Sequence, residues 1–333
     1  MSKTKFSAFA IGAVAACLTL GTFGCKPDQG GTNGGPKDTV KVEPFKAIAP
    51  DFSADSAYKF IEQQLAFGPR VPGTPAHKAC GDWIVSAFKG YGAEVTEQTA
   101  EIKDRTQKLI PMRNIIASYN PASTARVMVS AHWDCRPMAD KDGKNPGAPV
   151  PGANDAASGV AVMLEIARIL HSKAPSIGID LICWDAEDNG AYEDNTSWCQ
   201  GSQYWAKHPH KSGYSARFGI NLDMVGAKDA RYTKDGYSQQ NALRETENLW
   251  SIAAQLGYGN YFSGAVTGFS SIDDHFFVMD GTGIPMVEVI DRNITSGEFF
   301  PHWHTTTDDI NAIDRATLKA TGQSVLEVLY REK

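Results

Sequence analysis

Cysteine is scarce in this chain, six among 333 residues, and no pair has the Cys-x-x-Cys spacing. A zinc site built on thiolates is therefore not expected. A dominant charge is missing too: 32 Lys and Arg stand against 38 Asp and Glu, a formal net charge of −6. With no basic stripe interleaved with aromatics, nucleic acid is not an expected partner. The sequence has no Gly-x-Ser-x-Gly elbow, which argues against a serine hydrolase of that type. It has no EF-hand spacing and no internal repeat, so neither a calcium sensor nor a solenoid is indicated.

Long apolar runs are also absent, save one at the N-terminus. Lys3 and Lys5 precede an apolar run over residues 6–23 that is rich in Ala and Gly. Residues 1–24 read as a secretory signal rather than a membrane span. Cys25 follows, then a Gly-rich stretch, and residues 25–50 read as a flexible tether. The arrangement resembles the lipidation site of bacterial lipoproteins, although Thr22 stands where Leu is usual. An exported protein, held to a membrane through Cys25 and facing the periplasm, is expected; simple signal cleavage is the alternative. Cys80, Cys135, Cys183 and Cys199 remain, and their spacing does not determine a pairing.

What is present is an alternation of helical and strand patterns over residues 51–333, with 42% hydrophobic residues to build a core. Helices are expected over residues 53–67 and 75–89, the second stopped by Gly90, then after Gly159, over 243–256, from about 271, and over 314–330. Strands are expected over 93–102, 113–119, 126–131, 179–184, 218–222 and 284–290. The expectation is an α/β fold: one α/β sandwich with a central mixed, mostly parallel sheet flanked by helices.

The strand ends carry the chemistry. Ile179-Asp180-Leu181-Ile182-Cys183-Trp184 runs into Asp185-Ala186-Glu187-Asp188, and carboxylates so crowded need a metal, a cation or a shared proton. Asp134 and Asp223 fall at the ends of two other strands, where α/β sheets bind ligands. Asp155 stands at a helix N-terminus, and a cap worth roughly 1 kcal/mol is its plainer reading. Asp155, Asp188 and His304 are nonetheless donors of the kinds zinc takes. If Asp188 binds metal, Glu187 points elsewhere and can move protons. His132 is assigned a structural role beside the site, His77 and His210 to the surface, and Arg70 to bracing its own loop.

Gly68-Pro69-Arg70-Val71-Pro72-Gly73, Asp155-Ala156-Ala157-Ser158-Gly159, Trp184-Asp185-Ala186-Glu187-Asp188, Asp273-Asp274-His275 and Trp303-His304-Thr305 together resemble the glutaminyl cyclases, which share a fold with zinc aminopeptidases. The five motifs occur in that family's order, from about residue 55 to the C-terminus. The resemblance implies one zinc per chain on Asp155, Asp188 and His304, with Asp188 where animal enzymes carry Glu. It implies Glu187 as the acid/base, with Asp223 and Asp273 as carboxylates bonded around it. Trp303, and less firmly Trp198, match the tryptophans of the substrate pocket. Glu288 stands where animal enzymes have His and receives no catalytic role. The implied reaction closes the N-terminal glutamine of peptides or proteins to pyroglutamate with loss of ammonia. The main alternative is a two-zinc aminopeptidase using His132 and Asp223 with Asp155 as a bridge. A surface lipoprotein that only binds is a second alternative. A monomer is expected.

Overall fold

The computed structural model describes residues 45–266, 271–293 and 295–333. The signal segment, Cys25 and residues 25–44 of the tether lie outside them. In chain order the helices are α1 (Ala54–Leu65), α2 (Pro75–Gly90), α3 (Ala157–Ser172), α4 (Gln200–Lys207), α5 (Gly236–Asn241), α6 (Leu243–Gln255), α7 (Asp274–Thr282) and α8 (Arg315–Arg331). The strands are β1 (Glu94–Lys103), β2 (Leu109–Tyr119), β3 (Arg126–His132), β4 (Gly178–Trp184), β5 (Gly219–Asp223), β6 (Tyr232–Lys234), β7 (Phe262–Val266) and β8 (Met286–Ile290).

Six strands form one sheet in the order β1-β2-β4-β3-β5-β8. The β1–β2 and β2–β4 pairings are antiparallel, while β4, β3, β5 and β8 run parallel. These parallel strands are buried along their whole length. They read as mainly apolar runs because helices cover both faces. Side chains alternate between those faces. Val127, Val129, Leu181 and Ile220 pack with α1, α3, α6 and α8 in the larger core, and Met128, Ile182 and Met286 pack with α4 and α7 in the smaller one. The expected sandwich and its mixed, mostly parallel sheet are what the chain forms.

Local chemistry explains most helix ends. Ser53 caps α1 by accepting from the Ser56 N–H, and Thr74 caps α2 with Pro75 in its first turn. Gly90 does not stop α2 as expected; the helix runs through it, and Gly92, at φ +80°, supplies the left-handed turn that ends it. α3 leans closely on the strand ends, and a Cβ at Gly159 would sit 2.5 Å from the Leu222 carbonyl oxygen and 2.7 Å from Ala131 Cβ. That approach brings the loop before α3 to the carboxyl ends of β3 and β5.

Three features depart from the sequence reading. α4, α5, β6 and β7 were not expected; they are short and lack a sustained apolar period. β2 begins at Leu109, before Pro111, because β1 pairs along its full length. Residues 45–50, assigned to the tether, are part of the folded unit, which begins at Phe45. Glu327 of α8 accepts from the Ile48 and Ala49 N–H groups at 3.0 Å each, and Arg331 donates to the Lys46 carbonyl at 2.6 Å. Among the described residues no helix is long and apolar enough to cross a membrane.

Candidate metal centre and acid/base cluster

The loop before α3 is held from outside itself. Arg70, fully buried, donates to the carbonyls of Pro151 and Gly152, the latter at 2.6 Å. Asp308 accepts from the N–H groups of Asn154 and Asp155, at 2.8 and 3.1 Å. The N-cap of α3 is Ala156, with no side-chain cap bond. Asp155 is therefore not a helix cap. Its carboxylate lies between two imidazoles instead, with Oδ1 2.9 Å from His132 Nε2 and Oδ2 3.8 Å from His304 Nε2.

The acidic turn after β4 splits by direction. Ala186, at φ +55°, turns the chain sharply. Asp185 faces back, 2.8 Å from His77 Nε2, and accepts from the Arg113 N–H at 2.6 Å. His77, expected at the surface, is buried and stacks on Trp133 with ring centroids 4.0 Å apart. His210 likewise is half-buried, accepting from Trp205 Nε1 at 3.1 Å. Asp134 secures the forward half of the turn by accepting from the Glu187 and Asp188 N–H groups, at 3.0 and 3.2 Å. Asp188 Oδ1 then lies 3.0 Å from His304 Nε2.

Donor atoms of Asp155, Asp188 and His304 lie within 4.8 Å of one another, and so do those of His132, Asp155 and Asp223. Asp188 Oδ2 is buried without a hydrogen-bond partner. An orphaned oxygen on a carboxylate beside an imidazole is the kind of atom a divalent cation satisfies, and one nitrogen with two carboxylates is a donor set zinc accepts. The Asp155–Asp188–His304 group fits zinc on both counts. His132, expected only beside the site, is within it, its Nε2 3.3 Å from Asp223 Oδ1.

The charges follow from burial. In the protein without metal, Asp188 carries a lowered pKa: burial would raise it, but the His304 charge and hydrogen bond, with Arg136, outweigh that. His304 is pushed up to about 9, because the charge of Asp188 and the bonds to Asp140 and Asp188 overcome its burial. Glu187 is driven well above the carboxylate range by burial, opposed by His132 and reinforced by Asp188 and Asp273. Its Oε1 accepts from the Cys199 thiol at 3.2 Å. Asp273 is raised to about 7 by burial and the charge of Asp223. Asn221 Nδ2 donates to it at 3.0 Å.

A cavity of about 200 Å3 joins these groups. It is lined by Asp155, Glu187, Asp188, Trp198, Asp223, Asp273, Trp303 and His304, so every residue singled out for the site reaches it. Trp303 stacks on His304 with centroids 3.8 Å apart, and Trp198 lies parallel to His304 at 6.2 Å. Sequence reasoning missed the supports. Arg136 lies 4.5 Å beneath the Trp198 ring and donates to the carbonyls of Asp188 and Gly190 and to Asp140. Asp140 and Tyr192 both reach His304 Nδ1, each at 3.1 Å. Their only signal was their place in polar loops after two site-bearing strands. Glu288 does not line the cavity; it pairs with His275 at 2.6 Å, and Asn221 Nδ2 links it to Asp273. All four cysteines of the domain are buried free thiols.

Comparison with known proteins places this arrangement. The model of peptidase family M28 matches residues 114–329. The structure of Bacteroides thetaiotaomicron glutaminyl cyclase bound to N-acetylhistamine is 44% identical, with a TM-score of 0.84 over 86% of this chain and 100% of that one. That of a Zn-dependent exopeptidase from Parabacteroides distasonis is 47% identical, with a TM-score of 0.83 over 85% and 100%. The glutaminyl-peptide cyclotransferase of Drosophila melanogaster is 26% identical over 275 residues, 75% of this chain and 73% of that protein. Against aminopeptidase YwaD of Bacillus subtilis the identity is 28% over 273 residues, and the match spans 79% of this chain but only 54% of that protein.

Proposed function

We propose that this chain, which belongs to peptidase family M28, is a glutaminyl-peptide cyclotransferase that closes N-terminal glutamine to pyroglutamate and releases ammonia. The observation that carries the reading is Asp273. It is a buried carboxyl poised at about 7, with an oxygen within 4.8 Å of one on Glu187. Cyclisation needs a group that takes a proton from the attacking amine and returns one to the leaving nitrogen. Two buried carboxyls this close, both raised above the ordinary carboxylate range, suit that task. Hydrolysis at a two-metal site has no such need for the second carboxyl.

In this reading Asp155, Asp188 and His304 hold one zinc. Bound there, zinc supplies Lewis acidity toward the γ-amide oxygen. Trp198 and Trp303 form walls that fold the glutamine side chain back and keep water out. Glu187 accepts a proton from the α-amine as its nitrogen attacks the carbonyl carbon of the γ-amide. Glu187 then gives that proton to the amide nitrogen, which leaves as ammonia. Asp223 and Asp273 hold the amine and keep a proton in the cluster.

The two-zinc aminopeptidase remains the second reading because His132, Asp155 and Asp223 already form a second triad. One observation favours a single metal. His132 Nδ1 has Asp134 at a long 3.4 Å, whereas His304 Nδ1 has two oxygen partners at 3.1 Å each. A ligating imidazole is normally oriented by such a partner. The test offers a Gln-initiated dipeptide amide to the metal-loaded protein and follows ammonia, free amino acid and zinc content. Ammonia without cleavage, at about one zinc per chain, is the expected result. Cleavage with about two zincs would establish the aminopeptidase.

A further inference from the structure

The cavity at the metal centre, about 200 Å3, has room for little more than one amino-acid residue, so the rest of a peptide has to leave it. A second cavity, of about 380 Å3, adjoins the first and shares Phe299 and Trp303 with it as walls. Lys141 lines this second cavity. Its backbone N–H donates to the His304 carbonyl at 3.1 Å, which ties its position to a residue of the metal centre. Its ammonium lies 5.1 Å from the ring centroid of Tyr192 and 5.5 Å from that of Trp303. Both rings also line the first cavity. Lys141 is exposed and makes no ion pair among the described residues. Among the described residues no other lysine or arginine lines either cavity, and the one acidic residue lining the second is the exposed Glu298.

We propose that Lys141 is a specificity-determining residue that selects peptides carrying a carboxylate just beyond their first residue. The carboxylate is an acidic side chain at the second position or, in a dipeptide, the free C-terminus. The inference rests on the reading above only in taking the N-terminal residue into the metal cavity. That cavity is crowded with carboxylates, so a substrate carboxylate following the first residue meets repulsion unless a cation offsets it. The lysine ammonium does so at the point where the chain emerges over Phe299 and Trp303. The two aromatic faces hold an otherwise flexible side chain near that path. Because the pair is exposed to solvent, the selectivity is modest and falls with salt.

The experiment compares kcat/KM for ammonia release by the metal-loaded protein from Gln-Glu-Ala-amide, Gln-Gln-Ala-amide and Gln-Lys-Ala-amide, and from Gln-Ala against Gln-Ala-amide. The expected order is acidic over neutral over basic, with steps of about two- to fivefold carried by KM and narrowing as salt rises. Lys141→Gln flattens the order and Lys141→Glu inverts it, at unchanged zinc content. A preference for Gln-Ala over its amide that vanishes in Lys141→Gln makes the free C-terminus a source of the carboxylate as well. An unordered series in the wild type, or the wild-type order kept in Lys141→Glu, overturns the proposal. Absence of ammonia from every peptide overturns the cyclase reading instead. The same order is then read on liberated N-terminal glutamine, where the same results decide on Lys141.

Discussion

Two imidazoles flank Asp155, and they are built differently. His304 comes from a loop, at φ +55°, and its Nδ1 is held by Asp140 and Tyr192. His132 comes from the end of β3, with its Nδ1 only loosely held by Asp134 at 3.4 Å and its Nε2 pressed against Asp155 and Asp223. The loop residue is the better prepared ligand, because orientation is set by the outer hydrogen bond and not by the rigidity of the supporting element. Either triad could be named from its residue types. Only the outer partners separate them.

The largest effect should come from His304→Ala, which removes zinc and activity together when metal content and turnover are measured on the same sample. Glu187→Gln should lose about 10³ in kcat while keeping its zinc; loss of metal there would move Glu187 into the ligand set. Asp140→Asn should weaken zinc affinity about 10- to 100-fold. An unchanged affinity would remove the basis for preferring the His304 side.

The pH dependence has a definite sign. His304 in the metal-free protein is raised to about 9, from an ordinary 6.5. Zinc has to displace that proton, so affinity should rise about tenfold per pH unit up to about 9 and then level off. The same shift stabilises the metal-free protein fully below about 6.5 and less as pH rises through 9. Zinc titrations and melting curves from pH 6 to 10 check both signs. Tyr192→Phe, losing one of two bonds to His304, should cost about 0.5–1.5 kcal/mol of zinc affinity. His132→Gln should leave zinc at one per chain. A fall from two to one would erase the contrast between the imidazoles.

Much of the fold was legible for a physical reason. β3, β4, β5 and β8 are covered on both faces, so Val127–Ala131 or Leu181–Trp184 could hardly be anything but buried strands, and the acids that follow them had to lie at one sheet edge. α4 and β6 were not legible, because Gln200–Lys207 and Tyr232–Lys234 are stabilised by what they pack on rather than by their own pattern. His77 shows the same limit. A lone histidine on a helix looks like surface until Trp133 and Asp185 are brought to it.

By itself, the sequence determined which residues could do chemistry here: donors of zinc type at Asp155, Asp188 and His304, and carboxyls at Glu187, Asp223 and Asp273. Residue type and the strand-end position single out Glu187, Asp188 and Asp223; Asp155 and His304 stand out by residue type, and Asp273 by the family resemblance alone. Tertiary structure alone decided how they act. It turned Asp185 away, freed Asp155 from capping, placed His132 inside the site and set Asp140, Arg136 and Asp308 behind Asp155, Asp188 and His304. Ligand geometry and shifted pKa values depend on atoms a few ångströms apart from segments distant in the chain, and local sequence carries no record of those distances.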